Sequence, residues 1–381
     1  MHSLCLETQY IKTQEQLDTY LQAIKESKIL AIDTEFMRRR TLFPELALIQ
    51  VYDGEHLALI DPCCELDLSN FWTILTDNSI LKVLHSPSED LEVFMRHGNC
   101  VPKPLFDTQF AMGLLGFGNS VGFAMMVNKL LSLEIDKSES RTNWLQRPLT
   151  QKQLDYAAGD VLHLLPCFEI IKKQIDEKKW LDIILSESAL MAKKRQYQVP
   201  DENLYLDIKN AWQLNSFDLA VLKELATWRR DKARIKNLAL GFILKEHNMI
   251  EIAKVKPGSI TALRKVQGIE TMEINKSGKE ILLCIEKANA MPKDQHPQKV
   301  MRLVDYPSYK AEVKSIKQRI DAVAKEHGIP TEIISSKKQI NQLMSWTWKC
   351  DDEQKSKKLL PDLLSCWRYK ILQGKLIEWE S

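Results

Sequence analysis

The sequence has no apolar run long enough to cross a lipid bilayer, which argues against a protein that spans a membrane. Its first residues, MHSLCLETQY, lack the basic segment and the apolar segment that together make a secretory signal. Apolar residues make up 44% of the 381 residues and charged residues 27%, as in an ordinary soluble protein. We therefore expect a cytoplasmic protein of two or three domains.

Other absences exclude further classes of protein and site. The eight cysteines are scattered and form no C-x-x-C pair, so we expect neither a disulfide framework nor a zinc site. No G-x-x-x-x-G-K-[ST] loop is present, which argues against a nucleoside triphosphatase. Coiled-coil heptads are absent as well, and on that ground we expect a monomer.

The net charge of +2 hides a difference between the two halves of the chain. Residues 1–200 hold 21 Lys and Arg against 27 Asp and Glu, a net of −6. Residues 201–381 hold 32 against 24, a net of +8. The first half therefore suits metal binding and the second suits capture of a polyanion, although solvated helix faces explain these charges equally well.

A short apolar run over residues 29–32 leads directly into Asp33-Thr34-Glu35. Such a run predicts a buried central strand. Because residues two apart in a strand point to the same side, both carboxylates would leave the strand on one face. There they could share a hard divalent cation. Most acid-x-acid pairs are solvated surface charges, so the pair indicates a metal site only together with further carboxylates.

The surrounding pattern predicts an α/β domain with a mixed sheet. An apolar stripe at helical spacing predicts a helix over residues 14–27, before the central strand. After that strand, runs at 46–52 and 56–60 flank Asp53-Gly54, whose residue types suit the tight turn of an antiparallel hairpin. We expect a further short strand at residues 106–107.

Two more carboxylates lie on helices that would cover the end of this sheet. A strand over residues 82–85 precedes a helix that we expect to begin at Ser86 and to end at Gly98, with Asp90 in its first turn. After a polar loop, a long helix from about residue 150 to 175 carries Tyr156 and Asp160. These two are four residues apart and therefore lie on one face of the helix.

Strands no longer alternate with helices beyond residue 176, and the remaining pattern is helical. The predicted organisation has five parts: an α/β domain over residues 1–176, a helical connector over 177–209, a first helical module over 210–290, a linker over 291–304 and a second helical module over 305–381.

The four carboxylates together indicate a site for divalent metal ions, which none of them would indicate alone. Asp33, Glu35, Asp90 and Asp160 cannot lie close together at neutral pH unless cations compensate their charges. Ligands that are all oxygen select Mg²⁺ or Mn²⁺. Two such ions, about 3.5–4 Å apart, suit the hydrolysis of a phosphodiester. The Tyr156 hydroxyl, one turn before Asp160, could aim the attacking water, although a half-buried helical aromatic is the more ordinary explanation.

Three groups of residues also carry a resemblance to a known family. They are Asp33-Thr34-Glu35-Phe36, His85-Ser86-x-x-Glu89-Asp90-Leu91 and Tyr156-x-x-x-Asp160. These groups are similar to the three motifs of the DEDD exonuclease superfamily, in the branch whose third motif carries a tyrosine. Further segments, among them Phe106-Asp107-Thr108-Gln109, residues 137–145 and residues 363–368, resemble bacterial ribonuclease D within that superfamily. The resemblance covers essentially the whole chain.

This resemblance implies a fold, a reaction and a set of residue roles. The implied fold is a ribonuclease H-like α/β exonuclease domain followed by two all-α HRDC (helicase and ribonuclease D C-terminal) modules. By motif position, Asp33, Glu35, Asp90 and Asp160 would bind two divalent metal ions, Mg²⁺ or Mn²⁺, and Tyr156 would orient the water. The implied reaction removes 5′-mononucleotides one at a time from the 3′ end of RNA, with precursor tRNA as the main substrate.

Residues outside the metal site are candidates for contact with RNA. Phe36 could stack on the terminal base and His85 could approach the substrate, although core packing and a structural role at a strand end are the more ordinary roles. Lys137 and Arg141 lie on the predicted polar loop, where phosphate contact and simple solvation are equally consistent. A basic cluster in the first helical module suits the RNA backbone: Arg229, Arg230, Lys232 and Arg234.

Two alternatives remain compatible with the sequence. The metal chemistry does not require a 2′-hydroxyl, so a DNA 3′-to-5′ exonuclease is the alternative among enzymes. A non-catalytic RNA-binding scaffold that keeps the fold is the alternative of another class. The intact set of carboxylates argues against the scaffold.

Overall fold

The computed structural model describes residues 8–376, which form two compact units. The first, called the sheet unit here, comprises residues 8–37, 44–197 and 310–376. The second, called the helical unit, comprises residues 38–43 and 198–309. No helix in the described part of the chain is long and apolar enough to span a membrane.

A six-stranded mixed sheet is the centre of the sheet unit. Its strands in chain order are β1 Thr8–Ile11, β2 Ile29–Met37, β3 Glu45–Tyr52, β4 Leu57–Ile60, β5 Leu81–Leu84 and β6 Leu105–Asp107. Their order in the sheet is β1-β4-β3-β2-β5-β6. Strand β3 runs antiparallel to both β2 and β4, and the other neighbours are parallel. The mixed sheet and its hairpin are confirmed, while β1, a four-residue edge strand, was not predicted.

Seven α-helices of the sheet unit precede residue 197 in the described part of the chain. They are α1 Gln14–Ile24, α2 Ser69–Thr76, α3 Asp90–Gly98, α4 Thr108–Leu114, α5 Phe123–Leu131, α6 Gln151–Glu177 and α7 Leu181–Gln196. The longest, α6, begins at a capping box in which Thr150 and Gln153 each bond the other's backbone N–H. Helix α6 packs across β2, β3 and β4, which brings its side chains over the central strand.

The predicted start of α3 at Ser86 is wrong, because the helix begins at Asp90. Ser86 has a φ of +58°, in the left-handed region, whereas an N-cap residue has extended backbone geometry. The spacing of Ser, Pro and Glu imitates a capping box at residues that form a turn instead. Asp90 nevertheless opens the helix, so its predicted place in the first turn is confirmed.

The helical unit contains five α-helices around its own apolar core. They are α8 Ser216–Lys236, α9 Leu240–Ile243, α10 Glu246–Val255, α11 Ile260–Leu263 and α12 Thr271–Ala290. The stretch predicted as a linker, residues 291–304, is part of this unit and packs against its other residues. The His296 ring stacks on Phe217 at 5.4 Å between ring centres, and the Arg302 guanidinium lies 4.0 Å from the Trp212 ring centre. The stretch is therefore packed rather than a free connection.

The last helices belong to the sheet unit. They are α13 Tyr309–His327, α14 Thr331–Ile334, α15 Lys337–Lys349, α16 Asp352–Ser356 and α17 Cys366–Leu372. The Trp367 indole N–H donates to Glu187 of α7 at 2.8 Å, and the buried Arg368 guanidinium also bonds Glu187. Lys194 of α7 pairs with Asp362 at 2.6 Å. Helix α7, predicted as part of a connector, thus joins the last helices to α3 and β6.

Candidate active site

Three carboxylates meet where the central strand faces α6. Asp33 and Glu35 lie two residues apart on β2, and Asp160 lies on α6. One oxygen from each of the three lies within 4.8 Å of the others. In the described part of the chain, this is the one group of three or more His, Cys, Asp or Glu side chains with a spacing that fits a metal ion. The structure thus brings together three of the four predicted metal ligands.

The fourth predicted ligand, Asp90, lies beside this cluster. Asp90 is buried, and one of its carboxylate oxygens accepts a hydrogen bond from the Thr34 hydroxyl at 2.5 Å. Thr34 stands between the two acidic residues of β2. The charge of Asp90 is close enough to raise the pKa values of Asp33 and Glu35. Asp90 is therefore part of the same electrostatic site.

Burial raises the pKa values of all four carboxyls, and repulsion within the cluster adds to it at two of them. Burial is the largest cause for each group, and neighbouring carboxylates add to it at Asp33 and Glu35. The pKa of Glu35 rises to about 9, that of Asp160 to about 7 and that of Asp90 to about 6. The pKa of Asp33 is also raised well above its usual range. The negative charges of these carboxylates are therefore not compensated by positively charged groups among the described residues of the protein.

The donor set suits a hard divalent cation. The cluster offers oxygen atoms only, which favours Mg²⁺ or Mn²⁺ over zinc or copper. A bound cation would lower each raised carboxyl pKa, because it favours the charged form. The residues present therefore fit the metal that the sequence predicts.

Tyr156 lies at the cluster, one helical turn before Asp160. The phenol hydroxyl hydrogen-bonds the Asp160 carboxylate, and its ring centre lies 6.0 Å from that of the buried Trp144. Burial and the nearby carboxylates raise the pKa of Tyr156. The phenol therefore keeps its proton at neutral pH, so it can orient a water molecule but cannot act as a base.

An open cleft extends from the carboxylates. Asp33, Glu35, Tyr156 and Asp160 line one part, and a second set lines the rest: His85, Phe123, Ala124, Ile135, Lys137, Ser140 and Leu164. The cleft therefore has an acidic floor and a wall of mixed apolar and polar character. That combination suits a nucleotide, which offers a charged phosphate and an apolar base face.

Two of the residues predicted to contact RNA lie in this cleft. His85 lines the cleft, and its Nδ1 lies 2.9 Å from the Thr108 hydroxyl. Burial lowers the pKa of His85 to about 4, so the ring is neutral at pH 7. Lys137 is exposed on the loop before α6 and also lines the cleft. Arg141, on the same loop, is exposed but does not line it. Phe36 packs against the core of the sheet unit.

The basic cluster predicted in the helical unit is mostly committed to internal contacts. Arg229 is 6% exposed, donates to the Leu244 carbonyl oxygen at 3.2 Å and lies near Glu246. The prediction of an exposed RNA-binding side chain is therefore wrong for Arg229. Arg230 pairs with Asp201, Lys232 pairs with Glu280, and the exposed Arg234 contacts Gln198.

Reasoning from the sequence missed residues that hold the site in place. Arg147, just before α6, makes two 2.6 Å hydrogen bonds to the buried Asp61 carboxylate at the end of β4. Asp107 accepts hydrogen bonds from the backbone at Ser86 and Gln109. Asp directly before a helix is a capping signal that could have identified Asp107, but no local signal links Arg147 to Asp61 across 86 residues.

Comparison with known proteins identifies the family. Residues 8–176 match the 3′-5′ exonuclease family, 218–285 the HRDC domain family and 307–376 the ribonuclease D C-terminal HRDC domain family. Ribonuclease D of Escherichia coli K12 is 43% identical and aligned over 97% of each chain. The chain belongs to the ribonuclease D family.

Solved structures and a more distant relative agree with this assignment. The crystal structure of E. coli RNase D superposes with a TM-score of 0.92 at 42% identity, over 98% of each chain. Ribonuclease D of Pseudomonas paraeruginosa is 33% identical over 97% of each chain. A protein from Bifidobacterium adolescentis superposes with a TM-score of 0.67 at 22% identity, over 97% of this chain and 96% of that one, which shows the fold alone.

Membership of the ribonuclease D family confirms the predicted fold class and reaction class. The chain is a 3′-to-5′ exoribonuclease with an exonuclease domain followed by helical HRDC domains. Its superfamily depends on divalent metal ions, and the acidic cluster provides oxygen ligands for them.

The raised carboxyl pKa values predict how stability changes with pH when no metal is bound. A carboxyl with a raised pKa holds its proton more tightly in the folded state, so it favours folding at low pH. That contribution is lost as pH rises from about 4 through the folded value, which is about 9 for Glu35. In EDTA, we expect Asp33→Asn to raise Tm by roughly 3 °C at pH 8 and by little at pH 5.

Thermal unfolding with EDTA and with Mn²⁺ measures this effect. Mn²⁺ should raise the Tm of the unsubstituted protein more at pH 8 than at pH 6. At pH 8 the metal must displace fewer protons from the carboxyls that bind it. The matched control is Asp53→Asn, a carboxyl whose pKa is lowered by its hydrogen bonds, and it should lower Tm. A Tm for Asp33→Asn below that of the unsubstituted protein in EDTA at pH 8 would contradict the electrostatic account.

Proposed function

We propose that Asp33, Glu35, Asp90 and Asp160 hold two divalent metal ions, Mg²⁺ or Mn²⁺, and that Tyr156 orients the attacking water. The observation that supports this most directly is the approach of three carboxylates to within 4.8 Å beside the Tyr156 hydroxyl. When bound, the two ions would activate water and stabilise the charge that develops on the phosphate and the leaving 3′ oxygen. The protein's own contribution is to position these groups.

Each side chain has a task that follows from its surroundings. Asp33 and Glu35 present their carboxylates from a buried strand, so their positions are fixed by the sheet. Asp160 accepts a hydrogen bond from Tyr156, which fixes the direction of the phenol. Because the phenol stays protonated, it aims the water in line with the scissile bond and leaves the proton to another acceptor.

The proposed substrate is the 3′ end of RNA, in particular precursor tRNA. The E. coli relative is described as an exoribonuclease involved in structured RNA processing, and this description supports the proposal. The cleft supports it as well, since apolar side chains face the carboxylates across a space open to solvent. The monomeric state and the cytoplasmic location stay predictions.

Digestion of a 5′-labelled RNA with an unpaired 3′ tail tests the reaction. With Mg²⁺ or Mn²⁺ we expect a ladder that shortens from the 3′ end, and we expect no ladder with EDTA or with Asp160→Asn. Tyr156→Phe should slow the ladder on the order of 100-fold, because the water loses its orientation. Tyr52→Phe is the matched control, since the Tyr52 hydroxyl bonds the Gly54 carbonyl oxygen in the β3–β4 turn, and its rate should be unchanged.

The same assay separates the alternatives. Faster digestion of single-stranded DNA than of RNA would replace RNA by DNA as the preferred class of substrate. RNA binding without any ladder, under all metal conditions, would contradict the enzyme and leave the scaffold.

We further propose that Lys137 contacts a phosphate of the bound RNA, because it lines the cleft and is exposed. Lys137→Ala should raise KM roughly tenfold and lower the slope of log KM against log salt by about 0.7, as one phosphate contact on a single strand is lost. The control Lys178→Ala removes a charge at the residue that follows α6, 18 residues beyond Asp160 and about 27 Å away. Equal salt slopes for Lys137→Ala and the unsubstituted enzyme would rule out the contact.

A further inference from the structure

The turn between β5 and α3 has an unusual backbone. Ser86 is the second residue after the end of β5 and has a φ of +58°, a left-handed conformation that a residue with a Cβ atom adopts rarely. The turn is short, because Ser88 N–H donates to the Ser86 carbonyl oxygen at 2.8 Å and Leu91 N–H donates to that of Pro87 at 2.9 Å. The metal-site residue Asp90 therefore depends on the geometry at Ser86.

The Asp107 carboxylate supports this turn from the next strand. Asp107 ends β6, is 3% exposed and accepts the Ser86 backbone N–H at 2.9 Å. Its side chain also accepts the backbone N–H groups of Gln109 and Phe110 at the start of α4. One buried carboxylate thus joins the left-handed turn to the first turn of a helix.

Thr108 adds a second connection between the same two segments. The Thr108 hydroxyl donates to the Leu84 carbonyl oxygen at 3.2 Å and lies 2.9 Å from Nδ1 of His85. Residues 107 and 108 therefore contact three successive residues, 84 to 86, at the end of β5. His85, in the middle of these three, lines the cleft.

We propose that Asp107 is a positioning residue for the exonuclease reaction: by holding Ser86 in its left-handed conformation, it places His85 at the cleft and Asp90 beside the carboxylate cluster. The inference rests on the proposed role of Asp90 as a metal ligand. Without the Asp107 carboxylate, the Ser86 N–H loses its acceptor while the Cβ of Ser86 still disfavours a positive φ. The turn then relaxes towards a negative φ, and Asp90 moves relative to Asp33.

The proposal predicts a defect in metal binding as well as in catalysis. Asp107→Ala should weaken Mn²⁺ binding, measured by calorimetry without RNA, by roughly 10-fold or more, the usual effect of losing a residue that orients a metal ligand. The same variant should lower kcat by a similar factor. Asp107→Asn keeps an oxygen that can accept the Ser86 N–H, so it should restore most of the Mn²⁺ affinity.

A double substitution tests the role of the left-handed backbone directly. Glycine adopts a positive φ without a steric penalty, so Ser86→Gly removes the need for support from Asp107. The loss of Mn²⁺ affinity caused by Asp107→Ala should therefore be at least threefold smaller in the Ser86→Gly background. If both backgrounds give the same loss, the proposed mechanism is wrong.

The control is another buried carboxylate in the same unit. The Asp53 side chain also accepts two backbone N–H groups in a turn, at the end of β3 that pairs with the start of β2. Asp53→Ala should lower Tm and leave Mn²⁺ affinity unchanged. If Asp107→Ala behaves in the same way, its role is only structural and the proposal fails. If the unsubstituted enzyme binds no Mn²⁺ and shows no metal-dependent digestion, the proposed function fails first.

Discussion

The repulsion between buried carboxylates is the constraint on which the rest of this structure depends. Asp33, Glu35 and Asp160 hold oxygen atoms within 4.8 Å of one another, with Asp90 nearby. Burial removes the water that would weaken this repulsion, so the folded state retains protons at pH values where free carboxyls have lost them. A divalent cation bound between the carboxylates attracts each of them and so offsets their mutual repulsion. The site is therefore unfavourable when empty and suited to its metal.

The sheet unit supplies the rigidity that such a site needs. Strand β2 lies in the interior of the sheet, and α6 is held across it by a capped start and by the bonds from Arg147 to Asp61. The last helices contribute to the same unit, where the Trp367 ring lies 6.3 Å from Phe110 of α4. Helix α4 starts beside Asp107, so the packing of the last helices extends towards the turn that precedes Asp90.

The sequence predicted those parts of the site that follow from local periodicity. The period of two in a strand placed Asp33 and Glu35 together, and the spacing of four in a helix placed Tyr156 beside Asp160. It could not predict bonds between residues far apart in the chain, and at Ser86 the signals of a helix start concealed a left-handed turn. The buried Arg229 was accessible to prediction, because it lies on the same face of α8 as its buried apolar residues.

Anomalous diffraction at the manganese edge would show whether these carboxylates bind two metal ions. Crystals of the protein with Mn²⁺ and a 5′-mononucleotide would be measured. We expect two manganese peaks beside the four carboxylates Asp33, Glu35, Asp90 and Asp160. An absence of manganese at these residues, or a single peak with Asp90 still bonded to Thr34, would show that the four carboxylates do not bind two metal ions.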